Sequence, residues 1–256
     1  MWLRLRQIAL VAHKLAPIAD DLHEVFDLEI GYRDPGVKTF GLENALFPVG
    51  NQFIEVVSPI QDNTAGGRYL DRRKGDGGYM VICQCDDHAP RRARVEELKI
   101  RRVLESDGHE YKIMQLHPRD TGGSFLEIDY QLGGEDINGP WEPAGKEFHK
   151  AIRTNVIRAI AAAEIQTPDP KDLAERWGNI VQIPVRPDQD GNPRIKLENA
   201  AIRFVKDTDG RGEGLGGLDL VATDRARALK AAEKSGKLGA NWTINICGMR
   251  LNLVDA

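Results

Sequence analysis

Apolar and polar positions fall in short runs along the first half of the chain, and the runs follow one order twice. Leu5 to Ala12 is a mainly apolar strand. Pro17 opens a helix over 18–26, with Ile18, Leu22, Val25 and Phe26 at helical spacing. Strands are expected around 29–32, 39–48 and 52–57, with Gly50-Asn51 as the last turn. A Gly- and Arg-rich connection, 64–77, leads to the second unit. That unit has a strand over 79–87, a helix over 90–98, and strands over 101–104, 111–117 and 124–130. Pro118 to Gly123 reads as a hairpin loop. A polar, Gly/Pro-rich linker, 132–145, then breaks the pattern.

The back half repeats the order more faintly. Residues 155–164 take the opening-strand position, although their alanine run alone favours helix. A helix follows at 170–177, then strands at 180–184 and 195–205 around the turn Asp190-Gly191-Asn192-Pro193. A Gly-rich loop, 209–217, precedes a strand at 218–222. Asp224 caps a helix over 225–234, and strands around 242–246 and 249–254 end the chain. Four strand-helix-strands units are the organising pattern. They divide the chain into a pair over 1–131 and a more degenerate pair over 146–256.

Each of the first two units closes on an apolar strand with a carboxylate inside it. These are Phe53-Ile54-Glu55-Val56-Val57 and Ser124-Phe125-Leu126-Glu127-Ile128. Glu55 and Glu127 stand five residues after Gly50 and Gly122, so the repeat should place them equivalently. A strand points each to one defined face. Burial there is costly without a partner, a proton or a metal. Close carboxylates also repel, so one should hold its proton to higher pH, which suits acid-base work beside a carbonyl.

The 256 residues carry a formal net charge of -4, 41 % hydrophobic and 29 % charged residues. That is the composition of a soluble globular chain, with no general attraction for nucleic acid or an anionic membrane. The run Arg91-Arg92-Ala93-Arg94 sits beside Glu96 and Glu97 and reads as a solvated helix face. No apolar stretch reaches the roughly 18 residues of a membrane span. Cys83, Cys85 and Cys247 read as buried reduced thiols. The opening Met1 to Arg6 lacks a signal-peptide core, so a reducing cytoplasm is expected.

The plan resembles the vicinal oxygen chelate superfamily: glyoxalase I, methylmalonyl-CoA epimerase, extradiol dioxygenases and bleomycin-resistance proteins. The resemblance rests on Ile8-Ala9-Leu10-Val11 and Phe53 to Pro59 in the first unit. In the second it rests on Val81 to Asp87 and Gly123-Ser124-Phe125-Leu126-Glu127. It implies an α+β fold of four βαβββ modules forming two cup-shaped mixed sheets. Metal-dependent members take one ligand from each first strand, usually histidine, and one from each last strand, usually glutamate. Here those positions fall on Gln7 and Met80, and on Glu55 and Glu127. The back-half equivalents fall near Ala159, Gly217, Arg203 and Asn252. No bound metal is therefore expected, a weak divalent ion at Glu55 and Glu127 being the remaining alternative. Dioxygenase chemistry is disfavoured, because it needs an iron site of two histidines and a carboxylate.

The resemblance implies a lyase or isomerase acting on a small carbonyl or hydroxy compound. The alternative is a metal-free small-molecule-binding protein of the bleomycin-resistance type, and a third reading is a scaffold. Glu55 and Glu127 are the candidate catalytic groups. His117, before Pro118, is a candidate base or a loop anchor. Gln7, Met80, Arg68 and Tyr69 are the candidate substrate contacts, with Arg72 beside them. Arg68 and Arg72 could instead pair with Asp71 and Asp76. His13 falls at a strand end. His23, His88, His109 and His149 read as surface residues, and Trp141 and Trp177 as core. Expected partners are a small-molecule ligand and a second copy of the chain, with neither nucleic acid nor membrane.

Overall fold

A computed structural model describes residues 1–255. The first unit is β1 (Leu3–Val11), α1 (Leu15–Phe26), β2 (Leu42–Val49) and β3 (Gln52–Pro59). A helix, α2 (Ala65–Arg73), leads to the second: β4 (Gly77–Cys85), α3 (His88–Glu97), β5 (Arg102–Asp107), β6 (Tyr111–Leu116), the single turn α4 (Pro118–Thr121) and β7 (Phe125–Gln131). The third unit is β8 (Ile157–Thr167), α5 (Pro170–Val181), β9 (Val185–Pro187), β10 (Pro193–Lys196) and β11 (Ala201–Lys206). The fourth is β12 (Gly214–Ala222), α6 (Arg225–Lys234), β13 (Ile244–Ile246) and β14 (Met249–Val254).

The strands form two seven-stranded mixed sheets, ordered β2-β3-β1-β4-β7-β6-β5 and β13-β14-β12-β8-β11-β10-β9. Neighbouring units therefore share a sheet, joined by the antiparallel pairs β1–β4 and β8–β12. Inside each unit the first and last strands pair in parallel. The first and fourth units lack one strand of the repeat. In its place stand single bridges, Tyr32 to Leu46 and Leu238 to Ile244.

One face of each sheet, with α1, α3, α5 and α6, contributes to a single apolar core. It runs from Leu5, Ile8 and Leu10 through Trp177 and Phe204 to Leu218 and Leu251. α1 shows why its sequence folds so: Leu15, Ile18, Leu22, Val25 and Phe26 form one buried stripe, and the helix stops where Asp27 turns left-handed at φ 61°. The alanine run of β8 is a strand because β11 and β12 flank it on both sides, which outweighs its helix propensity. Gly78 marks a close approach of the two sheets: a Cβ there would lie 2.5 Å from Leu215 O.

Bulges give the repeat an internal ruler. The ladders skip a residue at Arg6 in β1, Tyr79 in β4, Ala161 in β8 and Gly216 in β12. Next to two of these bulges, an amide side chain from the other pair of units binds the adjacent backbone groups. Asn199 accepts the Leu5 N–H at 2.9 Å and donates to Leu5 O at 3.0 Å. Gln52 accepts the Ile160 N–H at 2.7 Å and donates to Ile160 O at 3.0 Å. The two clasps run one in each direction and hold corresponding backbone positions, Leu5 and Ile160.

The structure corrects several sequence expectations. Residues 64–77 are not a plain connection: Thr64 Oγ1 accepts the Gly67 N–H at 2.9 Å and starts α2. The expected strand over 180–184 is instead the end of α5 at Val181 and the turn from Gln182 that follows it, and the expected strand over 29–32 is only the bridge at Tyr32. Arg91 is not on a solvated face; it is buried and donates to Val181 O. His88 is buried too, its Nε2 placed 3.1 Å from Ile128 O, and burial lowers its pKa. The three cysteines are free and buried, and burial pushes the Cys85 thiol up to about 12.

Candidate functional site: a carboxylate cup with an amide network

Counting from the bulges, Gln7 and Met80 are equivalent, and so are Glu55 and Glu127. Their strands lie side by side, β3-β1-β4-β7. The face they share is the cup of the first sheet, lined also by Ala9, Val11, Phe53, Val57, Ile82 and Phe125. Two pieces of chain close over it. α2 lays Tyr69 and Leu70 into one end. The segment 132–152 crosses as a strap and buries Trp141, Ala144 and Phe148.

The strap is strongly anchored. Arg4 donates to Gly134 O and Glu135 O, both at 3.0 Å. Arg6 donates to Ile137 O at 2.6 Å and Gly139 O at 2.7 Å. Burial lowers the Arg6 pKa to about 10, so the guanidinium stays charged at neutral pH. A segment that reads as a polar linker is thus a wall of the site.

Glu55 is buried with both oxygens occupied by amides. Gln7 Nε2 donates to Oε2 at 2.9 Å, and Asn44 Nδ2 donates to Oε1 at 2.6 Å. Burial raises its pKa, while the two amide bonds pull it back. Glu127 accepts from Gln115 Nε2 at 3.0 Å and stands two residues before Asp129 on the same face of β7. Two buried carboxyl groups side by side without a cation favour keeping a proton on one of them. Asp129 is fully buried; its Oδ1 accepts the Met114 N–H at 3.3 Å and its Oδ2 accepts from the Tyr111 hydroxyl. Burial holds Glu127 well above the usual carboxylate range, with Asp129 and Glu55 adding repulsion. Burial also pushes Asp129 up to about 7. The hydrogen-bond partners of the three carboxyls are amides, a phenol and a backbone N–H, with no cation among them.

The other expected residues have different places. Met80 Sδ accepts from Gln115 Nε2 at 3.5 Å, so one amide joins Met80 to Glu127. Tyr69 is buried, donates to Gly78 O at 2.8 Å and meets the Tyr79 ring at 4.9 Å, so it is a wall residue. Arg68 is exposed and donates to Asn63 O at 2.6 Å. Arg72 covers the Tyr69 ring at 4.9 Å, and Asp76 pairs with His13 at 2.8 Å, so the expected Arg–Asp pairs do not form. His117 caps α4: its Nδ1 accepts the Arg119 N–H at 3.2 Å. A cleft of about 390 Å³ opens beside the strap, lined by Trp141, Phe148, Glu110 and Glu142.

Asn44, Tyr111, Gln115, Asp129 and Trp141 are absent from the sequence-based candidates. The period of two in β7 marks Asp129 as sharing the face of Glu127. Tyr111 and Gln115 have the matching parity in β6, but only after the pairing of Gln115 with Glu127 is known. Nothing in the local sequence marks Asn44 or Trp141.

In the second sheet the bulges put Ala162 and Gly217 at the Gln7 and Met80 positions, so Ala159 was three residues early. Arg203 and Asn252 stand where Glu55 and Glu127 do. They meet at one carboxylate: Arg203 donates to Asp219 at 2.8 Å and Asn252 at 3.0 Å. Arg203 also pairs with Glu164 at 2.9 Å.

A divalent ion of the kind used by metal-dependent vicinal oxygen chelate proteins does not fit the first cup. Met80 offers a thioether, Gln7 turns its amide nitrogen to Glu55, and both Glu55 oxygens are taken. Among the described residues, no three His, Cys, Asp or Glu side chains gather as a metal group.

Paired units, parallel first and last strands and a cup with a glutamate on each last strand define the glyoxalase-like, vicinal oxygen chelate fold. The chain belongs to the family of the glyoxalase-like domain, whose sequence profile matches residues 8–181. No curated protein matches it in sequence. A hypothetical protein from Staphylococcus aureus aligns over 100 % of both chains, with TM-score 0.68 and 12 % identity, which shows a shared fold. Two structures with partial overlap are methylmalonyl-CoA epimerases. The one from Streptomyces coelicolor, in complex with 2-nitronate-propionyl-CoA, shares 18 % identity over 50 % of this chain and 96 % of that chain, TM-score 0.45. The one from Mycobacterium tuberculosis shares 20 % over 50 % and 87 %, TM-score 0.44.

Proposed function

We propose that the first cup transfers protons on a small carbonyl or hydroxy compound, in the manner of an isomerase or lyase. The observation that carries this reading is the contrast between two buried glutamates on equivalent strands. Glu55 receives two amide N–H bonds, which favour its charged form; Glu127 is buried beside the fully buried Asp129, which favours its protonated form. One is a base and the other an acid on the same face. Glu55 takes the proton from a carbon next to a carbonyl, and Glu127 protonates the oxygen of the resulting enolate. Both act without a cation, so the acid must supply the neutralisation that a metal would otherwise give.

The second reading is a metal-free binding protein, favoured by the strap and α2 filling much of the cup. Solvent exchange separates the two. The protein is incubated in heavy water with a panel of small hydroxyketones, 2-oxo acids and acyl thioesters, and deuterium uptake at carbon is followed by NMR. The proton-transfer reading expects uptake with the native chain and none with Glu55→Gln, whose circular dichroism should be unchanged. Saturable binding of a panel member without exchange by the native chain selects the binding reading. We place the protein in a reducing cytoplasm, a proposal supported by its three free buried cysteines. No helix among the described residues is long and apolar enough to cross a membrane.

A further inference from the structure

We propose that Trp141 is a positioning residue that sets the Gln7 amide, and that this closes the first-strand position to a metal ion. The indole Nε1–H of Trp141 donates to Gln7 Oε1 at 2.7 Å, inside a buried site. An indole N–H is a donor and nothing else, so it fixes which end of the amide faces it. The oxygen turns to the strap, and Nε2 turns to Glu55, donating at 2.9 Å. A metal shared by Gln7 and Glu55 would need the amide oxygen on the Glu55 side. Flipping the amide to provide it would set an NH2 group against the indole N–H, two buried donors with no acceptor, and would take a hydrogen bond from Glu55.

Trp141 is itself held in this orientation. Its ring meets Tyr111 edge-on at 5.4 Å, the Arg6 guanidinium lies 5.6 Å from its centre, and Arg6 binds the strap carbonyls on either side of Asn138. The chain Trp141–Gln7–Glu55–Asn44 therefore runs from the strap, across β1, to β3 and β2, each link joining a donor to an acceptor. The strap reaches a glutamate it does not touch.

The test is by NMR of the full chain with 15N label, using the Trp141 indole and Gln7 side-chain amide signals. The first arm adds excess Mn(II), whose paramagnetism broadens any nucleus near a bound ion; Mg(II) and Zn(II) serve as diamagnetic probes. The proposal expects neither signal to broaden or shift. Broadening of both by Mn(II), or saturable shifts with Mg(II) or Zn(II), would overturn it. The second arm compares native protein with Trp141→Phe, which keeps an aromatic ring and loses the donor. Hydrogen exchange at Gln7 Nε2 should quicken about tenfold or more as the amide loses its anchor. Unchanged exchange in a folded Trp141→Phe protein would refute the positioning role. Neither arm depends on substrate, so failure here leaves the proton-transfer reading to its own test.

Discussion

Three carboxyl groups in one cup without a cation make the site a store of protons. Their side chains face Tyr111 on β6, Tyr79 and Met80 on β4, and the amides of Gln7, Asn44 and Gln115. Asp129 is the clearest case. Its pKa is raised from 3.8 to about 7 by burial, so the folded chain holds a proton that the unfolded chain releases. Stability from this group is present below about pH 4 and lost as pH rises through about 7. Asp129→Asn should remove part of that decline, on the order of 2–4 kcal/mol. Urea unfolding at closely spaced pH values checks it; an unchanged pH slope would count against a stored proton on Asp129. At this scale the sequence carried half of the site. Glu55 and Glu127 were legible because a charge inside an apolar strand stands out. Asn44, Gln115 and Trp141 were not, because an amide or indole looks the same in sequence wherever its partner lies.

Among elements, the strands of the second unit and helices α1, α3 and α6 were legible from their periodicity. α2 was hidden by Gly66-Gly67 and its arginines, and exists because Tyr69 and Leu70 have a cup to fill. The strap was hidden for the opposite reason. Its order comes from Arg4 and Arg6, more than a hundred residues away in sequence, and a polar Gly/Pro segment carries no sign of them. The bulge clasps are equally silent. Gln52→Ala should leave the Ile160 N–H and C=O buried without their side-chain partners and cost about 1–3 kcal/mol; Asn199→Ala should orphan the Leu5 N–H, while Leu5 O keeps a bond from Gln52 Nε2 at 3.4 Å, and cost a similar or smaller amount. Denaturant midpoints measure both, and no loss from either would refute the clasps as stabilising contacts.

At the scale of the whole chain, the four-unit plan was legible, whereas the pairing of neighbours within one sheet was not. Local periodicity is blind to which strand crosses to which. The shared core makes a definite prediction: heat or urea should unfold both sheets in one transition, followed by far-UV circular dichroism and tryptophan fluorescence together. Two separated transitions would mean that the sheets are energetically independent. A second prediction concerns the charges on the second sheet. Arg186, Arg194 and Arg203 are direct cross-strand partners on β9, β10 and β11, three like charges in a row. Arg203 is already paired with Glu164 and Asp219, so Arg194→Glu should mainly relieve the repulsion with Arg186 and stabilise the fold by roughly 0.2–1 kcal/mol in urea midpoints, an effect that salt diminishes; a lower midpoint at low salt would contradict this.

The account turns on buried carboxyl groups that keep their protons because no cation contacts them. The direct measurement is a pH titration of native protein carrying 13C at its side-chain carboxyls, with Glu55, Glu127 and Asp129 assigned by single substitution to the amide. The account predicts that Asp129 titrates near 7, with Glu127 and Glu55 also displaced upward and Glu127 shifting when Asp129 is replaced. Midpoints near about 4 for all three, as in solvent-exposed carboxylates, would contradict it and leave the cup without its acid.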